Sequence, residues 1–229
     1  TMCVFIISKG EINMKFIDQL KEKAKQNKKT IVLPETSDMR TIEAAGKVLA
    51  EGIANIILVG DKEDIMSRAG DIDLSGASFV DPKNYEKFDE YVDAFVEMRR
   101  KKGMTEAGAK ELLLTNPLYF GCMMVKQDDA DGMVAGAINA SADVLRAALQ
   151  TLKTAPGTRI VSAFFLVVVP DCQYGANGTF VFADAGLNQS PSASELADIA
   201  EQSAKSFELL VDETPVVAML SHSTKGSAK

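Results

Sequence analysis

The chemistry that this 229-residue sequence can offer is concentrated in a few polar segments. One is SHSTKGSAK, in which Ser221, Ser223, Thr224 and Ser227 surround Gly226 with Lys225 alongside. Small residues leave backbone N–H groups open and the hydroxyls and lysine add donors and charge, a composition suited to an anion such as phosphate. The segment is not a nucleotide-binding GxxxxGK[ST] loop, because Lys225 precedes Gly226. Its plainer alternative is a solvated loop of small residues. A second segment, DGMVAGAINASADVLRAALQTLKT from Asp131 to Thr154, has the same layout. A buried strand leads to a turn with Gly136, Asn139 and Ser141, then to a helix bearing Arg146, with Ser141 as the expected cap. A guanidinium fork fits phosphate oxygens, but an ordinary capped helix with a surface arginine fits the same residues.

Arg99 and Arg100 stand with Lys101 and Lys102 at an expected helix end, where the helix dipole favours cations without any ligand. In LPETSDMR, Glu35, Asp38 and Arg40 either line a cleft or pair with one another. His222 is the sole histidine and has no identifiable triad or metal-ligand partners, so a peripheral or packing role is expected. No lysine or histidine lies close in sequence to Cys172 to lower its pKa, and it reads as a buried thiol.

The elements that must position these residues alternate between helical and strand periods. Phe16, Ile17, Leu20 and Ala24 form a helical stripe, TIVLP is a strand, Ile42, Ala45, Gly46 and Leu49 repeat the helix, and NIILVG is a second strand. Such alternation predicts a parallel sheet covered by helices. A long helix is expected over 85–102, ended by Gly103, with another starting near Thr105. The Pro-Gly pair in KTAPGTR marks a boundary, giving a first α/β domain over 14–154 and a second over 155–229. In the second, SAFFLVVVP and TFVFADAG are strands around a Gly/Asn-rich turn, Ser192 and Glu195 form a capping box, and VVAML is expected as the last strand. The second domain has few elements to cover its sheet, and 1–13 precede the first amphipathic pattern without an assigned role.

Composition narrows the class. The chain is 46% apolar with net charge −7, from 25 Lys and Arg against 32 Asp and Glu, so it has no basic excess to attract nucleic acid or anionic lipid without a specific site. Cys3, Cys122 and Cys172 are spaced as reduced thiols, which suits the cytoplasm, and no stretch approaches the roughly 20 apolar residues of a membrane span. A GxGxxG fingerprint is absent, and neither an acidic metal cluster nor a dinucleotide site of a two-lobed dehydrogenase can be located.

LPETSDMRTIEAA, MRRKKGMT, DGMVAGAINASADVLRAALQTLKTAPG, SAFFLVVVPDCQYGANGTFVFADAG and FELLVDETPVVAMLSHSTKGSAK together resemble the phosphate acetyltransferase family, from about Lys15 to Lys229. The resemblance implies two three-layer α/β/α lobes with mainly parallel sheets, an interdomain cleft and an incomplete second lobe. It implies acetyl transfer between CoA and inorganic phosphate, with CoA, acetyl-CoA and acetyl phosphate as substrates, no bound cofactor or metal, and a cytoplasmic homodimer. It places Arg99 and Arg146 on the family's anion-binding arginines, which replaces the dipole reading of Arg99. It places Ser141, Ser221, Ser223, Thr224, Lys225, Gly226 and Ser227 on loops facing the cleft, and sets His222 where an aromatic residue is expected. The family's chain continues beyond this last loop with a Ser-Arg-Gly turn that helps bind CoA and an aspartate that serves as base for the thiol. Neither is in this sequence, so the expectation is a C-terminally truncated chain with little or no turnover. The alternatives are a non-catalytic anion- or CoA-binding fragment and an enzyme closer to the phosphate butyryltransferases.

Overall fold

The structure is a computed structural model and describes residues 14–220. They divide into two compact units, one of residues 21–153 and a smaller one of 14–20 with 154–220.

In the larger unit, strands β1 (Lys29–Leu33), β2 (Ala54–Val59), β3 (Ser78–Val80) and β4 (Gly132–Met133) form one parallel sheet in the order β3-β2-β1-β4. The chain moves outward from β1 through β2 to β3, then returns to place β4 on the other side of β1. The reversal point is therefore the crevice between β1 and β4.

Alternation along the strands sends side chains to two helical layers. Leu33, Ile56 and Leu58 pack with Ile42 and Ala45 of α2 (Met39–Glu51) and Ile65 and Ala69 of α3 (Lys62–Ala69). Val32 faces the opposite layer, where α6 (Pro117–Lys126) lies against β1 and β4 with Gly121 directly over Val32 and Met133. That layer also holds α4 (Phe88–Arg99) with its short 3-10 extension over Arg100–Lys102, α5 (Glu106–Thr115) and α7 (Ser141–Thr151). Tyr91, Phe95, Leu113 and Phe120 are its fully buried anchors.

Local signals explain the boundaries. Asp38 caps α2 through the Arg40 N–H, and Gly52 closes that helix in the left-handed region. Helix α5 starts beside Thr105 as expected, with the Thr105 side chain capping it through the Gly108 N–H, and Asn116 followed by Pro117 separates α5 from α6. Helix α1 (Met14–Gln26) leads into β1.

In the smaller unit, β5 (Phe164–Val168) and β6 (Thr179–Ala183) pair antiparallel, and α8 (Ala193–Val211) packs against β6. This differs from the mainly parallel sheets expected for both lobes. Parallel neighbours need a long crossover, usually a helix, whereas the connection 169–178 contains none. It folds back tightly: Gly178 has φ +88°, and a Cβ there would lie 2.1 Å from the Val169 carbonyl oxygen. VVAML is also corrected. Residues 216–220 are not in a strand and no described strand pairs with them, while Val216 and Leu220 are exposed. Cys172 lies in the hairpin connection and is half-buried rather than buried; among the described residues Cys122 is the fully buried thiol, with burial pushing its pKa up to about 12.

The capping box at Ser192 and Glu195 is present, with both the side-chain and backbone halves formed. Arg159, just beyond the Pro-Gly boundary, forks onto Asp198 at 2.8 and 2.9 Å and so fastens this segment to α8. Among the described residues no helix is long and apolar enough to cross a membrane.

Candidate functional site

In an open parallel sheet, the carboxyl ends of the strands at the reversal point form the natural ligand crevice. Here β1 ends at Leu33 and β4 at Met133, side by side. The chain leaves β1 as Pro34-Glu35 and leaves β4 as a loop that reaches α7 at Ser141. Register thus brings Glu35 against residues more than a hundred positions away.

The contact is dense. One carboxylate oxygen of Glu35 accepts the Gly136 and Ala137 N–H groups at 2.6 and 2.7 Å. The other accepts the Ile138 and Asn139 N–H groups at 3.0 and 2.8 Å and the Asn139 side-chain amide at 2.8 Å. Glu35 is only 3% exposed. Burial is the largest single influence on its pKa and raises it, but the bonds from Asn139, Ala137 and Ile138 together prevail and hold the carboxyl below its usual range. Gly136 makes the turn with φ +109°, a conformation that a side chain would strain. Arg40 closes the arrangement: its guanidinium pairs with Asp38 at 2.7 Å and donates to the Ala137 carbonyl at 2.5 Å.

Of the two readings of Glu35, Asp38 and Arg40, pairing holds for Asp38 and Arg40 alone, and Glu35 follows neither. Asp38 and Arg40 pair with each other, while Glu35 is spent on the loop. The N–H groups that make the Gly136–Asn139 segment look like a phosphate cradle are occupied by the protein's own carboxylate. The sequence offered little sign of this, because the pairing depends on the β1–β4 register and not on local spacing.

Beyond the loop, Ser141 is the first residue of α7 and is exposed. It is not the cap. Ala140 takes that position with no side-chain hydrogen bond, because the chain enters the helix one residue earlier than the Ser141 reading requires. Arg146 is exposed and pairs with Asp143 at 2.6 Å, three residues back on the same helix.

Arg99 ends α4, which touches α7. Its Nε is buried and has no hydrogen-bond partner. Tyr119 is buried nearby, with its hydroxyl donating to the Gln150 side chain of α7 at 3.1 Å. Burial, the dominant influence, raises the pKa of this phenol, while the Arg146 and Arg99 guanidiniums both act to lower it. Both charges thus lie within electrostatic reach of one hydroxyl. Arg100 lies outside this arrangement, paired with Glu97. Tyr119 and Gln150 were not expected at the site; an aromatic on an apolar helix carries no sequence signal that separates it from core.

Ser221, Ser223, Thr224, Lys225, Gly226 and Ser227 lie outside the described residues, as does His222.

Two other polar clusters differ in character. At the amino ends of the strands, Thr30, Val125, Asp128, Asp129, Ala130 and Asp131 line a pocket whose three aspartates disfavour an anion. Asp129 there receives hydrogen bonds from Lys87, Tyr85 and the buried Tyr91. In the smaller unit, Asp184 gathers the Ala163, Leu187 and Asn188 N–H groups and the Asn188 side chain. Burial acts most strongly and raises its pKa, yet these bonds together keep it below the ordinary value. Among the described residues no group of three or more histidine, cysteine or acidic side chains could hold a metal ion.

Comparison with known proteins gives one consistent result. Residues 15–229 match the family described as phosphate acetyl/butaryl transferase. A phosphate acetyltransferase of Acetivibrio thermocellus is 54% identical over 216 residues, covering 94% of this chain and 65% of its own. One from Thermoanaerobacterium thermosaccharolyticum is also 54% identical, over 215 residues, with the same coverages. Among solved structures, a EutD phosphotransacetylase from Staphylococcus aureus superposes with a TM-score of 0.82 at 38% identity, over 96% of this chain and 64% of that one. The chain spans 64 to 65% of the length of these three relatives, less than two thirds.

Proposed function

Since the chain belongs to the phosphate acetyl/butaryl transferase family, we propose that it serves acetyl transfer between CoA and inorganic phosphate, with Arg99 and Arg146 receiving the phosphoryl group. The observation that carries this reading is the Nε of Arg99, buried with no acceptor at the end of a helix that touches α7, the helix of Arg146. A buried donor without a partner is costly, and a phosphate oxygen would satisfy it.

In the thioester-forming direction, the thiolate sulfur of CoA attacks the carbonyl carbon of acetyl phosphate. A C–S bond forms, the C–O bond to the phosphoryl group breaks, and phosphate leaves with the electron pair. The two arginines would hold acetyl phosphate in line and neutralise charge as it gathers on the departing phosphate. The thiol proton goes to a base. No described residue is given that role: Asp143 is engaged by Arg146 and Asp184 by its own loop.

Ser141 and the segment from Ser221 to Ser227 complete the proposed substrate-binding set. No cofactor or metal enters this scheme, and domains over 14–154 and 155–229, a homodimer and a cytoplasmic setting belong to the same reading.

The test is calorimetric titration of the chain with phosphate, acetyl phosphate and CoA, alongside a thioester absorbance assay. Binding of phosphate and CoA that is weakened by Arg99→Ala is the expected result. Failure of all three ligands to bind would overturn the proposal, and binding without turnover would favour a non-catalytic anion- and CoA-binding role.

A further inference from the structure

We infer that Glu35 is a positioning residue: an internal anion that fixes the Gly136–Asn139 loop, and with it the start of α7, in the shape from which Arg146 is presented. The link to Arg146 rests on the function proposed above; the hold on the loop does not.

The argument begins with donors. Four successive backbone N–H groups, from Gly136 to Asn139, converge on a single carboxylate, and none of them is used by a strand or helix. Consecutive N–H groups pointing to one side repel one another and hold that shape only around an anion. Loops of this kind commonly wait for a ligand. Here the anion stands two residues beyond the end of β1, an interior strand with β2 on one side and β4 on the other. That strand is hydrogen-bonded along both edges, so Glu35 ties the loop to the interior of the sheet.

Arg40 supplies a second tie from α2 through the Ala137 carbonyl, so both the donor and acceptor sides of the loop are held. Directly after Asn139 the chain enters α7 at Ser141, and Arg146 follows within the second turn. Release of the loop would free the first turn of α7 while leaving Gln150 anchored on Tyr119.

The experiment reads the loop and the ligand separately, by amide hydrogen exchange and by phosphate titration on the full chain. Glu35→Gln removes the charge at constant size and turns an N–H donor toward the N–H groups. Exchange at residues 136–139 is expected to quicken at least tenfold while β1 and β2 amides stay protected, and phosphate affinity is expected to fall severalfold. In Glu35→Ala, added formate should restore part of the protection, whereas Glu35→Asp should retain some of it unaided. Should the glutamine variant fail to fold, the wild-type chain gives the same answer: acidification should expose the 136–139 amides before those of β1 and β2.

Unchanged exchange at 136–139 in Glu35→Gln, or loss of protection in step with the strands on acidification of the wild type, would overturn the inference. A loosened loop with unaltered phosphate affinity would overturn its link to Arg146. A wild-type chain that binds no phosphate would defeat the proposed function instead, and that link with it, with loop exchange alone deciding whether Glu35 holds the segment.

Discussion

Arg99 and Arg146 carry the same charge but start from different states, and their conservative replacements should therefore behave differently. The Nε of Arg99 is buried with no partner, so the cost of removing it from water is borne before any ligand arrives. A phosphate oxygen bonded there gains a charge-assisted hydrogen bond worth about 1.5–3 kcal/mol. At about 1.4 kcal/mol per decade, that is roughly a tenfold to hundredfold contribution to affinity. Arg146 already has Asp143 at 2.6 Å on the protein surface, and a ligand must compete with that carboxylate. Exchange of one partner for another leaves a smaller net gain, about 0.5–1.5 kcal/mol, or roughly twofold to tenfold. Arg99→Lys keeps the charge but lacks both the Nε donor and the planar fork, so it should lose most of the larger figure. Arg146→Lys should lose no more than the smaller one. Asp143→Ala adds a test of sign: it frees the guanidinium and removes a negative charge, so phosphate should bind a few-fold tighter. Calorimetric titration with phosphate gives all three values, with thermal melting as a control for folding. Affinity in Arg99→Lys within about threefold of wild type, or weaker binding in Asp143→Ala, would refute the reasoning.

Asp129→Ala removes the acceptor of two tyrosine hydroxyls, one on the fully buried Tyr91, and should cost about 3 kcal/mol by urea unfolding, with Asp129→Asn near half of that. Asp129, Glu35 and Asp184 all hold their carboxyls below the ordinary range, so their stabilisation is present at neutral pH and is lost as pH falls through these depressed values. Unfolding free energy should therefore drop below about pH 4, less steeply in Asp129→Ala than in wild type. At Gly121 an added Cβ would meet Met133 Sδ at 2.7 Å and Val32 Cγ1 at 3.3 Å, so Gly121→Ala should destabilise the chain by about 1–2 kcal/mol, the low value applying if the Met133 side chain yields. Ser192→Ala abolishes the capping box and should cost about 1 kcal/mol, measured the same way.

What was legible in the sequence followed from short-range physics. The apolar stripe of α2, the β-branched runs of β1 and β2, the start of α5 near Thr105 and the Ser192–Glu195 box each depend on residues within a turn or two of one another, and each stands where the local signal places it. Less legible features depend on pairing across distance. Nothing local states that 169–178 returns antiparallel, or that residues 216–220, despite their strand-like composition, have no described neighbour to bond. Ser141 illustrates a one-residue error with a physical basis: serine favours both the cap and the first turn, and only backbone geometry separates them. The site divides in the same way. Arg99 and Arg146 were visible as residues, but the orphaned Nε, the Asp143 pairing and the Tyr119–Gln150 hydrogen bond are properties of packing. Glu35 was visible only as one of several charged residues after a strand.

The placement of Glu35 also bears on which ligands this sheet refuses. A parallel sheet that reverses direction beside its first strand is the common platform for nucleotide pyrophosphates, which lie across that crevice and take the backbone N–H groups of the loop beyond it. Here a pyrophosphate would approach a negative charge that cannot diffuse away and would have to break five hydrogen bonds to reach the same donors. One glutamate thus occupies the backbone donors that a dinucleotide's pyrophosphate would need.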